Sequence, residues 1–189
     1  RRQHDEIRGH YDQVLRGLMH VALQDIPRSV ICVFLDGNHD VMHYICQTAD
    51  AIGLRKKATL RLAPAAVEIN LGGSVSDPDL LAKLQSLLSQ WRAGRYRARI
   101  GQGESLADLR DRFKPFVQKV VARHKNDGGI VVIVAHGGII AWPMPFIASN
   151  VSFAFALDLA NGLPNTGIVK SELRGDRLYV TDWAGRTPH

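Results

Sequence analysis

The stretch Ile130-Val131-Val132-Ile133-Val134-Ala135-His136-Gly137-Gly138-Ile139-Ile140 decides how this chain is read. Its first five residues are branched and apolar, the pattern of a strand enclosed within a sheet. The run then stops at a histidine followed by two glycines. Glycines there let the backbone turn tightly and present N–H groups at the start of the next helix, where those groups and the helix dipole attract anions. A histidine in that place can bind or protonate a phosphoryl oxygen near neutral pH. It can equally do no more than cap the turn.

Working outward, Val30-Ile31-Cys32-Val33-Phe34-Leu35 is a second apolar run and reads as a buried strand, broken by Asp36-Gly37-Asn38. Ala58 to Leu62 is a third candidate strand. Helical periodicity runs from Arg2 to Leu23, with Pro27 at or beyond its end, and a further helix is expected from about Val41 to Ile52. From Asp79, the residues Leu80-Leu81, Leu84, Leu87-Leu88 and Trp91 define an amphipathic helix closed by Gly94. Ser105 is placed to cap a helix with Leu109, Phe113, Phe116-Val117 and Val120-Val121 on its apolar face, and Pro115 is expected to kink it. Ile139 to Ile147 predicts a helix interrupted by Pro143 and Pro145. Phe153 to Leu159 is an apolar run with no assigned element. Thr166–Leu173 and Arg177–Trp183 flank Arg174-Gly175-Asp176 and predict a β-hairpin. Strands alternating with helices predict an α/β protein with a mainly parallel sheet covered on both faces, and ligands in such sheets bind at the carboxyl ends of the strands.

Composition bounds the function. The chain has 189 residues, of which 46% are hydrophobic and 22% charged, and this suits one globular domain. No apolar run reaches the roughly 18–20 residues that span a bilayer, so a membrane protein is not expected and the cytoplasm is the default compartment. Cys32 and Cys46 do not make a disulfide framework. His39 and His43 are one helical turn apart, but no third ligand is near them and no metal site is expected. The formal net charge of +6 favours anionic ligands in general. The basic cluster from Arg92 to Arg99, with Tyr96 inside it, is read as solvated surface rather than a nucleic-acid site. Gly101-Gln102-Gly103 lacks the third glycine of a dinucleotide loop and does not open from a strand.

Val131 to Ile140 resembles the second-histidine motif of the histidine phosphatase superfamily, in its phosphoglycerate-mutase-like branch. Four further segments resemble that family in the family's order. Gln47-Thr48-Ala49 is similar to the end of its second arginine motif. Val67-Glu68-Ile69-Asn70-Leu71-Gly72 is similar to the segment carrying its acidic residue. Gly101-Gln102-Gly103-Glu104-Ser105, with Arg112 after it, is similar to its Gly-Glu-Ser segment and following helix. Leu163-Pro164-Asn165-Thr166 is similar to the lead into its last strands. The resemblance implies a three-layer α/β sandwich with a mainly parallel central sheet flanked by helices. It also implies phosphoryl transfer through a phosphohistidine, with no metal or organic cofactor. His136 then matches the second histidine, Gly137 offers its N–H to the same phosphate, and Glu68 matches the proton donor. On local sequence alone, Glu68 reads first as a surface glutamate before a loop.

Two departures stand against the family pattern. The family's nucleophile lies in an Arg-His-Gly motif after the first strand, and these 189 residues contain no Arg-His-Gly. The nearest approach is Arg2-Gln3-His4, which makes His4 the candidate nucleophile and Arg2 a candidate phosphate contact, although the surrounding residues read as helix. Counting back four residues from Thr48, the position of the second phosphate-binding arginine is held by Tyr44, which donates a hydrogen bond but carries no charge. Two explanations stay open. Residues 1–189 are a single domain whose first strand lies outside them, or the chain is a degenerate member that keeps part of the pocket. The corresponding functions are hydrolysis of small phosphate esters, or binding of a phosphorylated ligand or protein partner without turnover. The expected ligand is a small phosphorylated substrate or inorganic phosphate, with no nucleic acid or membrane partner; oligomeric state is left open.

Overall fold

The computed structural model describes residues 28–32, 58–73, 77–126, 130–164 and 167–188. They fall into two compact units. One contains three strands: β1 (Arg28–Cys32), β2 (Ala58–Leu62) and β3 (Ile130–Val134). The other comprises Ala65–Arg123 and Ala135–His189. The strands form a parallel sheet in the order β2-β1-β3. Their ends are in register, with Cys32 opposite both Leu62 and Val134. β1, not β3, is the middle strand of the three. β3 pairs on one side among the described strands, and its Val131, Val132 and Ile133 are half-buried. The apolar run at Val30 starts two residues late for β1, which begins at Arg28; Val33 to Leu35, like the expected helices at 2–23 and 41–52, lie outside the described residues. The strands and helices together make this an α/β protein.

In the second unit, α1 (Leu80–Arg92) buries Leu87, Leu88 and Trp91 and leaves Leu81 exposed. The helix starts where expected, with Asp79 as its N-cap. Asp77, not Asp79, anchors the first turn: its Oδ1 accepts from the Asp79 N–H at 2.9 Å and its carbonyl from the Leu80 N–H at 3.1 Å. Gly94, at φ +82°, then lets the Arg95 N–H turn back to the Gln90 carbonyl.

The helix α2 (Leu106–His124) opens with a capping box. The Asp108 N–H donates to Ser105 Oγ at 3.3 Å, and the Ser105 N–H donates to Asp108 Oδ2 at 2.8 Å. Leu106, Leu109, Phe113 and Val117 face inward. The helix runs unbroken through Pro115. Pro115 and Asp111 are exposed, so water can solvate the Asp111 carbonyl that the missing N–H would have met.

After β3 the chain forms α3 (Gly137–Ala141), a 3₁₀ turn at Met144–Phe146, α4 (Phe153–Ala156) and a second 3₁₀ turn at Leu159–Asn161. The helix expected from Ile139 starts earlier, at Gly137, and ends before Pro143. The unassigned run at Phe153 is helical because Ser152 Oγ accepts from the Phe155 N–H at 3.1 Å and caps it. The hairpin is present as β4 (Val169–Arg174) and β5 (Arg177–Trp183), with Gly175 at φ +62° in its two-residue loop. The Asn150 side chain exchanges two 2.8 Å hydrogen bonds with the Val180 backbone and covers the other side of β5. The core here joins Ala141, Met144, Ala148, Val151, Ala156, Val180 and Trp183. Tyr96, from the basic cluster, stacks on Phe153 and meets the edge of Phe146 with ring centres 5.0 and 5.4 Å away, so its ring is engaged inside the protein.

The Ser105 N–H and hydroxyl, which donate to Asp108 Oδ2 at 2.8 and 2.7 Å, hold the Asp108 carboxyl below the ordinary aspartate range, with Arg99 a smaller cause. A depressed folded-state value means stability that is present above the ordinary value and lost as pH falls through the depressed one. Asp108→Asn is therefore expected to destabilise the protein at pH 7, by no more than about 1 kcal/mol because the exposed carboxyl is screened by solvent. The difference from wild type should shrink in acid; urea denaturation at pH 7 and below pH 3 checks it.

Candidate active site

His136 follows the last residue of β3 by two positions and is the N-cap of α3, with φ −85° and ψ 159°. Its carbonyl accepts from the Ile140 N–H at 3.1 Å, but its side chain makes no capping hydrogen bond. The imidazole is therefore not the turn's cap, which was one of the two readings open from sequence. Its Nδ1 faces Glu68 Oε2 at 3.5 Å. Glu68 lies on an irregular segment after the 3₁₀ turn Pro64–Ala66. It is half-buried, so it is not a plain surface glutamate. The His136 side chain is 10% exposed and that of Glu68 30%, so the carboxylate is the more accessible member of the pair.

The two oxygens of Glu68 sit differently. Oε1 accepts from the Ile69 N–H at 2.9 Å, which fixes the carboxylate plane and leaves Oε2 turned to His136. The two glycines after His136 also differ. A Cβ on Gly138 would stand 2.9 Å from Glu68 Oε1, 3.3 Å from the Trp142 ring and 3.4 Å from Ile69. Among the described residues, a Cβ on Gly137 would meet the Leu163 carbonyl at 3.5 Å and Leu163 Cβ at 3.8 Å, ordinary contact distances. The second glycine thus makes room for the glutamate. The first is free of that demand, and its N–H is among those at the start of α3 that have no acceptor within the helix.

Behind Glu68 lies a guanidinium. Arg112, on α2, donates to the carbonyls of Ala65 and Val67 at 2.8 Å each and to that of Glu68 at 3.4 Å. It also grips Glu104 with two bonds, Nε to Oε1 at 2.7 Å and Nη2 to Oε2 at 3.0 Å. Glu104 reaches the same segment further on: its Oε2 accepts from the Asn70 N–H at 2.9 Å, and its own N–H donates to the Asn70 carbonyl at 2.7 Å. The backbones touch closely here. A Cβ on Gly103 would come within 2.6 Å of the Leu71 carbonyl carbon, so the family-like Gly103-Glu104-Ser105 needs its glycine.

Sequence reading put Glu68 and His136 in one site, and the structure brings them together. Glu104 and Arg112 were legible as motif residues, but nothing local gave them this task. Arg2, His4 and Tyr44 lie outside the described residues, as do His39 and His43. Among the described residues no group of three or more His, Cys, Asp or Glu side chains could hold a metal ion. No helix among them is long and apolar enough to cross a membrane.

The histidine of the sequence motif and the glutamate expected with it thus face each other. The family model of the histidine phosphatase superfamily, branch 1, matches residues 45–185, and the chain belongs to that family. This places it among enzymes of phosphatase and phosphoglycerate-mutase type. No curated protein sequence is significantly similar to it. Solved structures are. A structure named mycobacterial hydrolase 1 is 22% identical with a TM-score of 0.67, over 92% of this chain and 82% of its own. A mycobacterial glucosyl-3-phosphoglycerate phosphatase in complex with inorganic phosphate is 22% identical with a TM-score of 0.65, over 93% of this chain and 88% of its own. An alpha-ribazole phosphatase from Shigella flexneri is 12% identical with a TM-score of 0.56, over 94% of this chain and 84% of its own. At these identities the likeness concerns the fold.

The contrast between the glycines is testable. Gly138→Ala is expected to displace the Glu68 carboxylate and shift the His136 imidazole resonances in an NMR spectrum, while the fold survives because the atom in the way ends a flexible side chain. Gly137→Ala should leave those resonances in place.

Proposed function

We propose that this chain is a phosphohydrolase acting on small phosphate monoesters, with His136 and Glu68 as the described part of its catalytic machinery. The observation that carries the reading is the 3.5 Å approach of His136 Nδ1 to Glu68 Oε2, in a chain of the histidine phosphatase superfamily. His136, protonated, and the Gly137 N–H hold the phosphoryl oxygens and stabilise the charge that gathers on them. A histidine nitrogen attacks phosphorus, the bond from phosphorus to the ester oxygen breaks, and the Glu68 carboxyl gives its proton to that oxygen. Water then attacks the phosphohistidine and Glu68 recovers a proton from it. His4 is the candidate nucleophile in this reading, with Arg2 and Tyr44 as further phosphate contacts. The frame would be the layered sandwich with a parallel central sheet, residues 1–189 forming one domain, and the ligand a small phosphorylated molecule or inorganic phosphate. A phosphate complex of a structurally similar phosphatase supports the ligand class. The cytoplasm is the proposed location.

A second reading has its own observation. The sequence places Tyr44 where the family has an arginine. A chain so altered could bind a phosphorylated ligand or partner without turning it over.

The experiment is hydrolysis of two esters, one aryl with a good leaving group and one alkyl with a poor one. Loss of a general acid costs about 10²–10⁴-fold where protonation is needed. Glu68→Gln is expected to lose that much on the alkyl ester and far less on the aryl one, while His136→Ala loses activity on both. An acid-labile adduct of one phosphoryl group on the protein, absent in His4→Ala, would identify the nucleophile. Phosphate binding without turnover of either ester would instead favour the second reading.

A further inference from the structure

The segment from Ala65 to Asn70 carries Glu68, yet it is neither helix nor strand beyond the 3₁₀ turn at its start. Nothing repetitive holds its backbone, and so its carbonyls must find other donors. Three of them, those of Ala65, Val67 and Glu68, converge on Arg112. With the two bonds to Glu104, each of the guanidinium's five N–H groups has an acceptor. Glu104 then binds the segment on its far side at Asn70, through one bond in each direction. Glu68 is thus bracketed, with Arg112 at and before it and Glu104 two residues after it. Between the brackets its carboxylate has one oxygen on the Ile69 N–H and the other toward His136. A rotation of the backbone at Glu68 would swing that second oxygen away from the imidazole.

We propose that Arg112, acting with Glu104, is the positioning residue of this site: by holding the backbone from Ala65 to Asn70 it sets where the Glu68 carboxyl meets the substrate's leaving oxygen. The proposal rests on the reading above for what Glu68 does, but not for where it sits. No other common side chain substitutes. Lysine keeps the charge opposite Glu104 but offers three donors from one point instead of a planar fork. Arg112 and Glu104 are partly exposed, at 23% and 25% of their side chains, so the pair need not be fatal to folding when one member changes.

The test uses the full chain carrying Arg112→Lys or, separately, Glu104→Gln, with Glu68→Gln as reference and unfolding curves to show that each variant is folded. Two readouts separate positioning from mere bracing. The first is the titration of His136 followed by NMR. Removing the Glu68 charge is expected to lower its midpoint by about one unit, and Arg112→Lys should reproduce much of that drop, since a carboxylate moved off by an ångström or more couples less. The second is the ratio of kcat on the alkyl ester to kcat on the aryl ester. A misplacement near 1 Å can cost about 10²-fold, so Arg112→Lys should lower the alkyl rate by about that factor and leave the aryl rate and both KM values within a few-fold. Glu104→Gln should move both readouts the same way and by less. A folded Arg112→Lys protein whose His136 titrates as in wild type overturns the proposal, and so does an equal loss on both esters. If Glu68→Gln lowers the His136 midpoint but loses no more on the alkyl ester than on the aryl ester, the proton-donor reading fails. In that case the positioning proposal stands or falls on the titration of Arg112→Lys.

Discussion

Arg112 is the constraint on which the described site depends. An irregular segment placed against a helix must satisfy its backbone groups one at a time, and each one left without a partner costs about 1–3 kcal/mol if buried. Five donors on one planar group solve this for three carbonyls and a carboxylate together. The demand propagates. For Glu104 to serve both Arg112 and Asn70, its loop must lie flush against the backbone from Asn70 to Gly72. That approach admits no Cβ on Gly103, and Gly72, at φ +70°, would place one 2.3 Å from the Ile100 carbonyl oxygen. The glycines at 72 and 103 are thus consequences of the ion pair. The capping box of Ser105 and Asp108 fixes the start of α2, from which Arg112 projects two turns later.

The site is assembled from two chain segments that each follow a strand. One leaves β2 and reaches Glu68 after a single 3₁₀ turn; the other leaves β3 and reaches His136 in two residues. The connection to His136 is the shorter of the two. The longer one has more freedom, and the Arg112 and Glu104 bonds brace it. Gly138 is where the two segments meet, and its missing side chain is the space that the Glu68 carboxylate occupies.

This division explains what could be read in advance. The run Ile130–Val134 announces its strand because branched apolar residues state their environment locally, and α1, α2 and β5 are legible through periodicity, caps and turn glycines. The helix at Phe153 was not legible, because a four-residue segment shows no period and depends on one Ser152 cap. The outward tilt of Leu81 and the inward packing of Tyr96 were hidden for a related reason: what a side chain meets is decided by distant residues. Glu68 and His136 could be named from motif likeness, yet their meeting is a tertiary fact. Arg112 was the least legible of all, since its partners are backbone carbonyls, which every residue type possesses and no sequence pattern marks.

The same geometry bears on whether the pocket serves turnover or binding. A phosphate monoester is an anion, and a carboxylate fixed near it raises the cost of binding, since like charges in a partly desolvated site repel strongly. A module selected only to hold phosphate would do better with an amide or an alanine at position 68. Here the glutamate is instead held in place by its neighbour's N–H, by the absence of a side chain at Gly138 and by a backbone strapped to Arg112. A protonated carboxyl removes the repulsion and adds a donor, which is the form a leaving oxygen requires. The proposed catalytic role therefore accounts for the effort spent on Glu68, whereas binding alone gives no reason for it. Tyr44 concerns the other half of the reaction, the attack on phosphorus, and supplies no use for a carefully placed acid.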